Sequence, residues 1–464
     1  MLDKNVVATL KSIVGDEHVL TDAGDLLTYS YDGTPDQPQV LPEVVVMPAS
    51  EEEIVEIVKL AKAEGLHIYT RGSGTNLSGG TIPLRKGIVL VTTRMNKIVE
   101  VDPENLTATV QPGVVINSLN EAVSPYGLIY PPDPGTVKTA TMGGSVSESS
   151  GGLRGLKYGV TKDYVMGVRM VLANGEVVTF GGKSVKNVAG YDLTKLVCGA
   201  EGTLGIITEI LVKLIAKPQY SKTMTATFNS LKDAGYTISG IIAEKVVPAT
   251  MELLDQVTLQ VVEEYIHIGL PTDAKVMLLM QVDGNVEAEV ELEAQKVVEQ
   301  CKKNDCRDIK LAKDAKEADD LMTARRAALP ALARVKPTTV LEDATVPRSR
   351  IPDMLARFEE IAEKYNLQIG TFGHAGDGNL HPTILTDARD EEEMKRVREA
   401  VDEIFASALE LGGTLSGEHG IGIAKARFME DQFGAAGMEV IRRVKEAFDP
   451  DYMFNPDHFF FKGE

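Results

Sequence analysis

Cysteine is scarce in this chain: its 464 residues include three, Cys198, Cys301 and Cys306. So few thiols predict a reducing compartment and no disulfide framework. They also exclude an iron–sulfur cluster held by four cysteines of the chain itself. Cys301 and Cys306 flank an expected helix end and read as ordinary helix residues rather than a redox pair. No stretch approaches the roughly eighteen uninterrupted apolar residues of a membrane span, so none is expected. The start, Met1-Leu2-Asp3-Lys4-Asn5, lacks a basic region followed by an apolar run and a cleavage site. No signal peptide is therefore expected, and the chain reads as cytoplasmic. Positive charge is also in deficit, with 48 Lys and Arg against 68 Asp and Glu and a net charge of −20. That argues against nucleic acid and anionic membrane surfaces as partners. Local Arg and Lys could still line a pocket for an acidic substrate.

Hydrophobic content of 43% with 25% charged residues is ordinary for a soluble enzyme. The length exceeds that at which a single core keeps growing, so two domains are expected. Residues 4–14 read as a short amphipathic helix and Glu43 to Met47 as a strand. Ser50 is placed to cap a helix whose first turn is Glu51-Glu52-Glu53, with Ile54, Ile57, Val58 and Ala61 as its apolar stripe and Gly65 as its stop. Leu66 to Thr70 is the next strand. Two hairpins follow, one turning at Pro103-Glu104-Asn105 and one at Asn174-Gly175, and Ile206 to Leu214 closes this α+β region near Lys217-Pro218. Beyond Pro218, strands at 223–228, 276–282, 309–312, 368–373 and 380–386 alternate with helices at 287–301, 350–365 and 391–411. This predicts an antiparallel sheet with helices on one face.

The first half carries several glycine-rich segments. Directly after the strand ending at Thr70 comes Arg71-Gly72-Ser73-Gly74-Thr75-Asn76-Leu77-Ser78-Gly79-Gly80. Glycines let successive backbone N–H groups converge on a phosphate. A Rossmann fingerprint would need Gly where Leu77 stands and a helix afterwards, and a P-loop would need Gly-Lys-Ser/Thr. What remains is a non-helical cradle for a diphosphate. Pro134-Gly135-Thr136, Met142-Gly143-Gly144-Ser145-Val146-Ser147, Ser150-Gly151-Gly152, Tyr158-Gly159 and Gly199 to Gly205 follow. Their density of Gly and small hydroxyl residues suits backbone lying along a large, planar, phosphate-bearing cofactor.

Three of the seven histidines lie in two short C-terminal segments, Gly373-His374-Ala375-Gly376-Asp377-Gly378-Asn379-Leu380-His381 and Ser416-Gly417-Glu418-His419-Gly420. Imidazoles and carboxylates among so many glycines make a poor hydrophobic core. They make a good divalent-metal site with a base beside it.

Taken together and in this order, these segments resemble the FAD-linked oxidases of the vanillyl-alcohol oxidase and p-cresol methylhydroxylase superfamily. The C-terminal half is similar to the branch containing D-lactate dehydrogenases and the glycolate oxidase FAD subunit. The resemblance implies an α+β fold: an N-terminal segment (1–37), a PCMH-type FAD-binding domain of two α+β subdomains (38–217), and a C-terminal antiparallel-sheet substrate domain with helices (218–464). It implies that Gly72, Ser73, Gly74, Thr75 and Asn76 bind the FAD diphosphate, with Arg71, Ser78 and Gly79 also in the cofactor site. Pro134, Gly135, Thr136, Gly143, Gly144, Ser145, Ser150, Gly151, Gly152, Tyr158, Glu201, Gly202, Gly205, Ile206, Ile207 and Asn455 would complete the cofactor site. These loops contain no His, so the FAD is expected to be non-covalent. The resemblance further implies one divalent metal held by His374, His381 and Glu418, with His419 as the base. Asn379 would orient substrate, and Arg325 would bind its carboxylate. Relatives often carry Trp ahead of this Arg, whereas this chain has no Trp.

The implied activity is oxidation of a D-2-hydroxy acid to the 2-oxo acid, with D-lactate favoured over glycolate or 2-hydroxyglutarate. The reduced flavin would pass electrons to a docked carrier, an electron-transferring flavoprotein first and a quinone or an iron–sulfur partner subunit second. Two competing readings are a redox-neutral ether-lipid synthase and a non-catalytic flavin-binding scaffold. The acidic charge without an amphipathic anchor weighs against the first, and the intact Glu418-His419 pair weighs against the second.

Overall fold

The computed structural model describes residues 2–461 and divides into two compact units. The first runs to Ser150, resumes over Val160–Lys217 and takes up the chain again from Glu418. The second comprises Gly151–Gly159 and Pro218–Gly417.

In the first unit, β1 (Val19–Leu20), β2 (Val44–Val46), β3 (Ile68–Arg71) and β4 (Ile88–Val91) form a sheet in the order β1-β2-β4-β3. Here β4 runs parallel to both β2 and β3. Parallel strands need apolar residues on both faces, and Val44, Val45, Val46, Ile88, Val89 and Leu90 are all fully buried. The Glu51–Glu64 helix crosses over from β2 to β3. Ser50 Oγ accepts a hydrogen bond from Glu53 N at 3.3 Å, and Gly65 ends the helix in the left-handed region at φ 64°. Its stripe of Ile54, Ile57, Val58 and Ala61 packs with Val6, Leu10 and Val14 of the Lys4–Val14 helix.

Seven further strands complete this unit: β5 (Ile98–Asp102), β6 (Thr107–Val110), β7 (Leu128–Ile129), β8 (Val165–Val171), β9 (Val177–Gly181), β10 (Ile206–Lys213) and β11 (Ile215–Ala216). Five of them form an antiparallel sheet, β5-β6-β10-β8-β9, while β7 pairs with β11. The Asn174-Gly175 turn closes as expected, Gly175 donating to Leu172 O at 2.8 Å with φ 81°. Successive side chains of a strand point to opposite faces, and β10 uses this. Ile206 joins the core that holds Val44 and Ile54, while Ile207 joins the core of Val110, Val168 and Ile210.

Unit 2 is built on one antiparallel sheet. Its strands are β12 (Tyr220–Phe228), β13 (Thr250–Asp255), β14 (Val276–Gly284), β15 (Asp308–Leu311), β16 (Thr338–Leu341), β17 (Ala344–Thr345), β18 (Gln368–His374) and β19 (Asn379–Thr386). The order is β15-β12-β14-β13-β18-β19-β16, with β17 also on β19. The main helices cover Leu231–Ala243, Gln256–Ile266, Glu287–Lys303, Ile351–Tyr365 and Glu391–Glu410.

Three features are not indicated by the sequence. Met142 to Glu148 is a helix, because Thr141 Oγ1 accepts from Gly144 N at 3.3 Å and supplies the cap that offsets two glycines. Gly151, Gly152 and Tyr158 belong to the second unit, since Leu153 packs with Leu279 and Met322 and Lys157 Nζ bonds the carbonyl of Asp283 at 2.5 Å. The second compact unit ends at Gly417. From Glu418 the chain rejoins the first unit, where Asn455 N bonds Ile68 O at 3.0 Å and Lys445 Nζ bonds Thr203 O at 2.7 Å.

The N-cap of the Gln256–Ile266 helix gives a test of pH dependence. Asp255 accepts from Thr258 N at 2.8 Å and from Thr371 N at 2.7 Å, yet burial pushes its carboxyl up to about 6. Its folded value thus lies above the unfolded one, so the folded chain binds the proton more tightly. Stability should therefore fall as pH rises from the ordinary aspartate range through about 6. Asp255→Asn should flatten that slope in melting curves recorded across the window, and an unchanged slope would contradict the assignment.

Candidate active site

Sheet register assembles the polar cluster of the second unit. Leu253 and Leu254 of β13 lie opposite Gly373 and Phe372 of β18, so Glu252 falls opposite His374. On the other side, Phe372 lies opposite His381 and His374 opposite Asn379. Because side chains alternate along a strand, Phe372 and His374 share a face with Asn379 and His381. The two imidazoles meet edge to face with ring centroids 5.3 Å apart. Gly373 separates Phe372 from His374, and a Cβ there would come within 2.5 Å of Asn379 O.

Each histidine is oriented through Nδ1. His374 Nδ1 lies 2.8 Å from Glu252 Oε1, and His381 Nδ1 lies 3.3 Å from Glu342 O and 3.9 Å from Asp343 Oδ1. Beside an ionised Glu252 the proton of His374 sits on Nδ1. Metal ligation by either ring would run through Nε2, the arrangement in which an outer carboxylate or carbonyl fixes the tautomer.

Glu252 is fully buried, and its second oxygen accepts from Arg325 Nε at 2.6 Å. Burial alone would raise this carboxyl; Arg325 and His374 outweigh it and hold Glu252 below the usual glutamate range. Arg325, on the Ala315–Arg326 helix, is itself buried, with its guanidinium 4.7 Å from the Phe372 ring centroid. It is no solvated surface charge. Its Nε edge is committed to Glu252, so a two-point grip on a substrate carboxylate would run through its terminal nitrogens. Asn379 is buried and its Oδ1 has no hydrogen-bond partner among the described residues.

Asp343 accepts from Ser416 Oγ at 2.5 Å and from Gly417 N at 2.9 Å, which anchors the chain immediately before Glu418 and His419. Glu418 Cα is one peptide, about 3.8 Å, beyond Gly417 Cα. Glu252 and Asp343 were not singled out in the sequence. A lone acid in the apolar run Met251-Glu252-Leu253-Leu254 was the available signal, because a buried charge requires a partner.

The glycine-rich segments of the first unit form a separate cluster. Arg71 ends β3 with its guanidinium turned inward, donating to Tyr31 O at 2.7 Å and Thr81 Oγ1 at 3.0 Å. It therefore braces the loop that follows. Within that loop Ser73 Oγ donates to Thr139 O at 2.6 Å, Asn76 Nδ2 to Asp32 at 2.8 Å, and Gly79 N to Thr34 Oγ1 at 2.7 Å. Gly72 lies so close to Thr141 Oγ1 that a Cβ would collide with it. Gly143, Gly144 and Ser145 lie on the Met142–Glu148 helix, and Pro134, Gly135 and Thr136 on the turn in which Val137 N donates to Pro134 O at 2.9 Å. Ser145 and Ser150 share a hydroxyl–hydroxyl contact that extends to Thr161. Tyr158 belongs to the second unit, where its hydroxyl donates to Asp283 Oδ2 at 2.8 Å. Ile206 and Ile207 contribute side chains to the cores, and Asn455 Nδ2 donates to Glu201 O at 2.6 Å.

Both clusters suit the groups expected of them. Buried polar atoms without a hydrogen-bond partner among the described residues include Asn76 Oδ1, Ser78 Oγ, Ser149 Oγ, Glu148 Oε2 and Asn455 Oδ1. Such atoms require an answer, and a polar, phosphate-bearing cofactor gives one. Burial pushes Glu148 well above the usual range, reinforced by Glu201 and Asp32 and only partly offset by Lys425. The two histidines with Nδ1 already oriented fit a divalent cation.

The family model described as FAD binding domain matches residues 42–181, and the one described as FAD linked oxidases, C-terminal domain, matches residues 217–458. The chain belongs to the FAD-linked oxidases and is an FAD-linked oxidoreductase. It is 51% identical over 462 residues to the glycolate oxidase subunit GlcD of Bacillus subtilis (strain 168), covering 100% of this chain and 98% of that protein. It is 35% identical over 434 residues to a D-lactate dehydrogenase of Archaeoglobus fulgidus, covering 92% and 94%. A crystal structure of p-cresol methylhydroxylase with substrate bound matches at a TM-score of 0.83 and 17% identity, covering 98% of this chain and 96% of the other. Alkyldihydroxyacetonephosphate synthase matches at 0.78 and 20%, covering 98% and 85%. These two structural likenesses show the fold.

The Glu252 pair is testable by stability. Glu252→Ala would leave Arg325 buried without its anion, and loss of one member of a buried pair costs about 3–5 kcal/mol. Denaturant unfolding should show that loss, and a change under about 1 kcal/mol, the scale of exposed pairs, would mean that Arg325 does not depend on Glu252.

Proposed function

We propose that this protein is an FAD-dependent dehydrogenase of small 2-hydroxy acids. The observation that carries the reading is the pair His374 and His381, each oriented through Nδ1 and lying on one sheet face with Asn379. The sequence favours D-lactate. The 51% identity to a protein named as a glycolate oxidase subunit supports glycolate equally, and the two belong to one chemical class.

Bound non-covalent FAD supplies a hydride acceptor at N5, and a divalent cation on His374, His381 and Glu418 supplies a Lewis acid. The chain's own residues do the rest. His419 takes the hydroxyl proton as the C2 hydride leaves, so that the 2-oxo acid forms without a charged intermediate. Asn379 orients the substrate through its amide, and Arg325 answers the carboxylate with its terminal nitrogens. Glu252 keeps His374 in the ligating tautomer and Arg325 in place. Electrons then leave to a docked carrier, an electron-transferring flavoprotein or an iron–sulfur partner subunit; the word subunit in the name of the Bacillus relative supports a partner. Among the described residues no helix is long and apolar enough to cross a membrane. The three cysteines support a reducing, cytoplasmic setting.

Anaerobic mixing of the FAD-loaded protein with a panel of D- and L-2-hydroxy acids should bleach the flavin with glycolate or D-lactate and leave it unchanged with L-lactate. Bleaching by none of the panel would sink the substrate class.

His419→Ala should keep FAD and metal while flavin reduction slows by about a hundredfold or more, the scale of a lost general base. Metal analysis paired with stopped-flow separates the alternatives. Loss of metal would make His419 a ligand, and near-normal reduction would refute both roles.

A further inference from the structure

We infer that Glu201 is a positioning residue for the base His419, acting through the turn that follows it rather than on the cofactor. The inference rests on the proposed role of His419. Both carboxylate oxygens of Glu201 are committed to consecutive backbone donors: Ile421 N donates to Oε1 at 2.7 Å and Gly422 N donates to Oε2 at 2.6 Å. Hydrogen bonds to an ionised acceptor are roughly twice as strong as neutral ones. Two of them on successive peptides fix the direction of the backbone immediately after His419.

The turn has been shaped to receive that grip. Gly420 has φ 81° and Gly422 φ 50°, both in the left-handed region. A Cβ on Gly420 would collide with Glu148 Oε2 and come within 3.0 Å of Glu201 Oε1, and one on Gly422 would collide with Ser78 O. The next two donors, Ile423 N and Ala424 N, both bond Ser78 O, at 3.1 and 3.0 Å. The His419 turn is thereby tied on one side to Glu201 and on the other to the glycine-rich loop that holds Ser78.

Glu201 is fixed in turn from behind. It sits at φ 50°, unusual for a residue with a side chain. Its N donates to Ser147 O at 2.8 Å, and its O accepts from Asn455 Nδ2 at 2.6 Å. Two residues on, Thr203 O accepts from the buried Lys445, whose other bonds go to Asp449 and Phe454 O. The buried His458 lies alongside, its Nδ1 3.4 Å from Glu201 Oε2 without making a hydrogen bond among the described residues. Such over-determination is what holds a residue at a strained φ. The carboxylate is therefore aimed, and what it aims at is the backbone carrying the base.

The test uses the FAD-loaded full chain with Glu201→Ala and Glu201→Gln. Hydrogen exchange at Gly420–Ala424 should quicken about tenfold or more in Glu201→Ala, as two protected amides open. FAD content should match the unsubstituted protein. Flavin reduction at saturating substrate should fall about tenfold or more, with half-saturation changed far less, because a displaced catalytic group costs rate rather than binding. Glu201→Gln, which keeps one accepting oxygen, should recover part of both effects, and it carries the test if the Ala variant fails to fold. Unchanged exchange, unchanged reduction despite faster exchange, or loss of FAD would each overturn the inference, the last by returning Glu201 to the cofactor. If no 2-hydroxy acid reduces the unsubstituted protein, the substrate class fails, and the exchange comparison still decides whether Glu201 holds the turn.

Discussion

Glu252 is a charge with no access to water, and the polar face of the second unit depends on how that charge is answered. Its two oxygens divide between Arg325 and His374, at 2.6 and 2.8 Å. Neither partner would suffice alone. Arg325 supplies the counter-charge that keeps the carboxylate ionised, and the ionised carboxylate sets the tautomer of His374. A neutral Glu252 would release both: the guanidinium would be buried without an anion, and the imidazole could turn over. The register of β13 against β18 brings Glu252 and His374 together, and the Ala315–Arg326 helix supplies Arg325.

That explains which parts of the site could be read in the sequence. His374, His381, Glu418 and His419 are local: they stand in short segments whose glycines mark them, and His374 and Asn379 pair across a turn of four residues. Glu252 stands 122 positions from His374 and Arg325 73 from Glu252. Nothing in either neighbourhood indicates the partner. The sequence points to Arg325 as a ligand for a substrate carboxylate, whereas its bond to Glu252 depends on tertiary packing. Elements with local determinants were legible for the same reason. Ser50 and Gly65 bound one helix, and Asn174-Gly175 turns one hairpin. The Met142–Glu148 helix was hidden because two glycines lower its propensity while a single cap at Thr141 restores it. The discontinuous composition of the two units was hidden because it rests on Lys445, Asn455 and Lys157, whose partners lie far away in sequence.

A net charge of −20 sits mostly where water screens it, and the buried acids show four distinct answers to desolvation. Glu252 is held ionised by two cationic or polarisable partners, and Asp255 is pushed up to about 6 despite two backbone donors. Glu201 is gripped by two consecutive N–H groups. Burial pushes Glu148 well above the usual glutamate range, and its acidic neighbours add to this. The last two are linked, since Glu201 is one of those neighbours. Gly420, whose missing Cβ lets the turn approach both, is the residue that makes the pairing sterically possible. Gly420 is therefore a packing requirement: without a Cβ, one turn of chain can lie against the carboxyl groups of both Glu148 and Glu201.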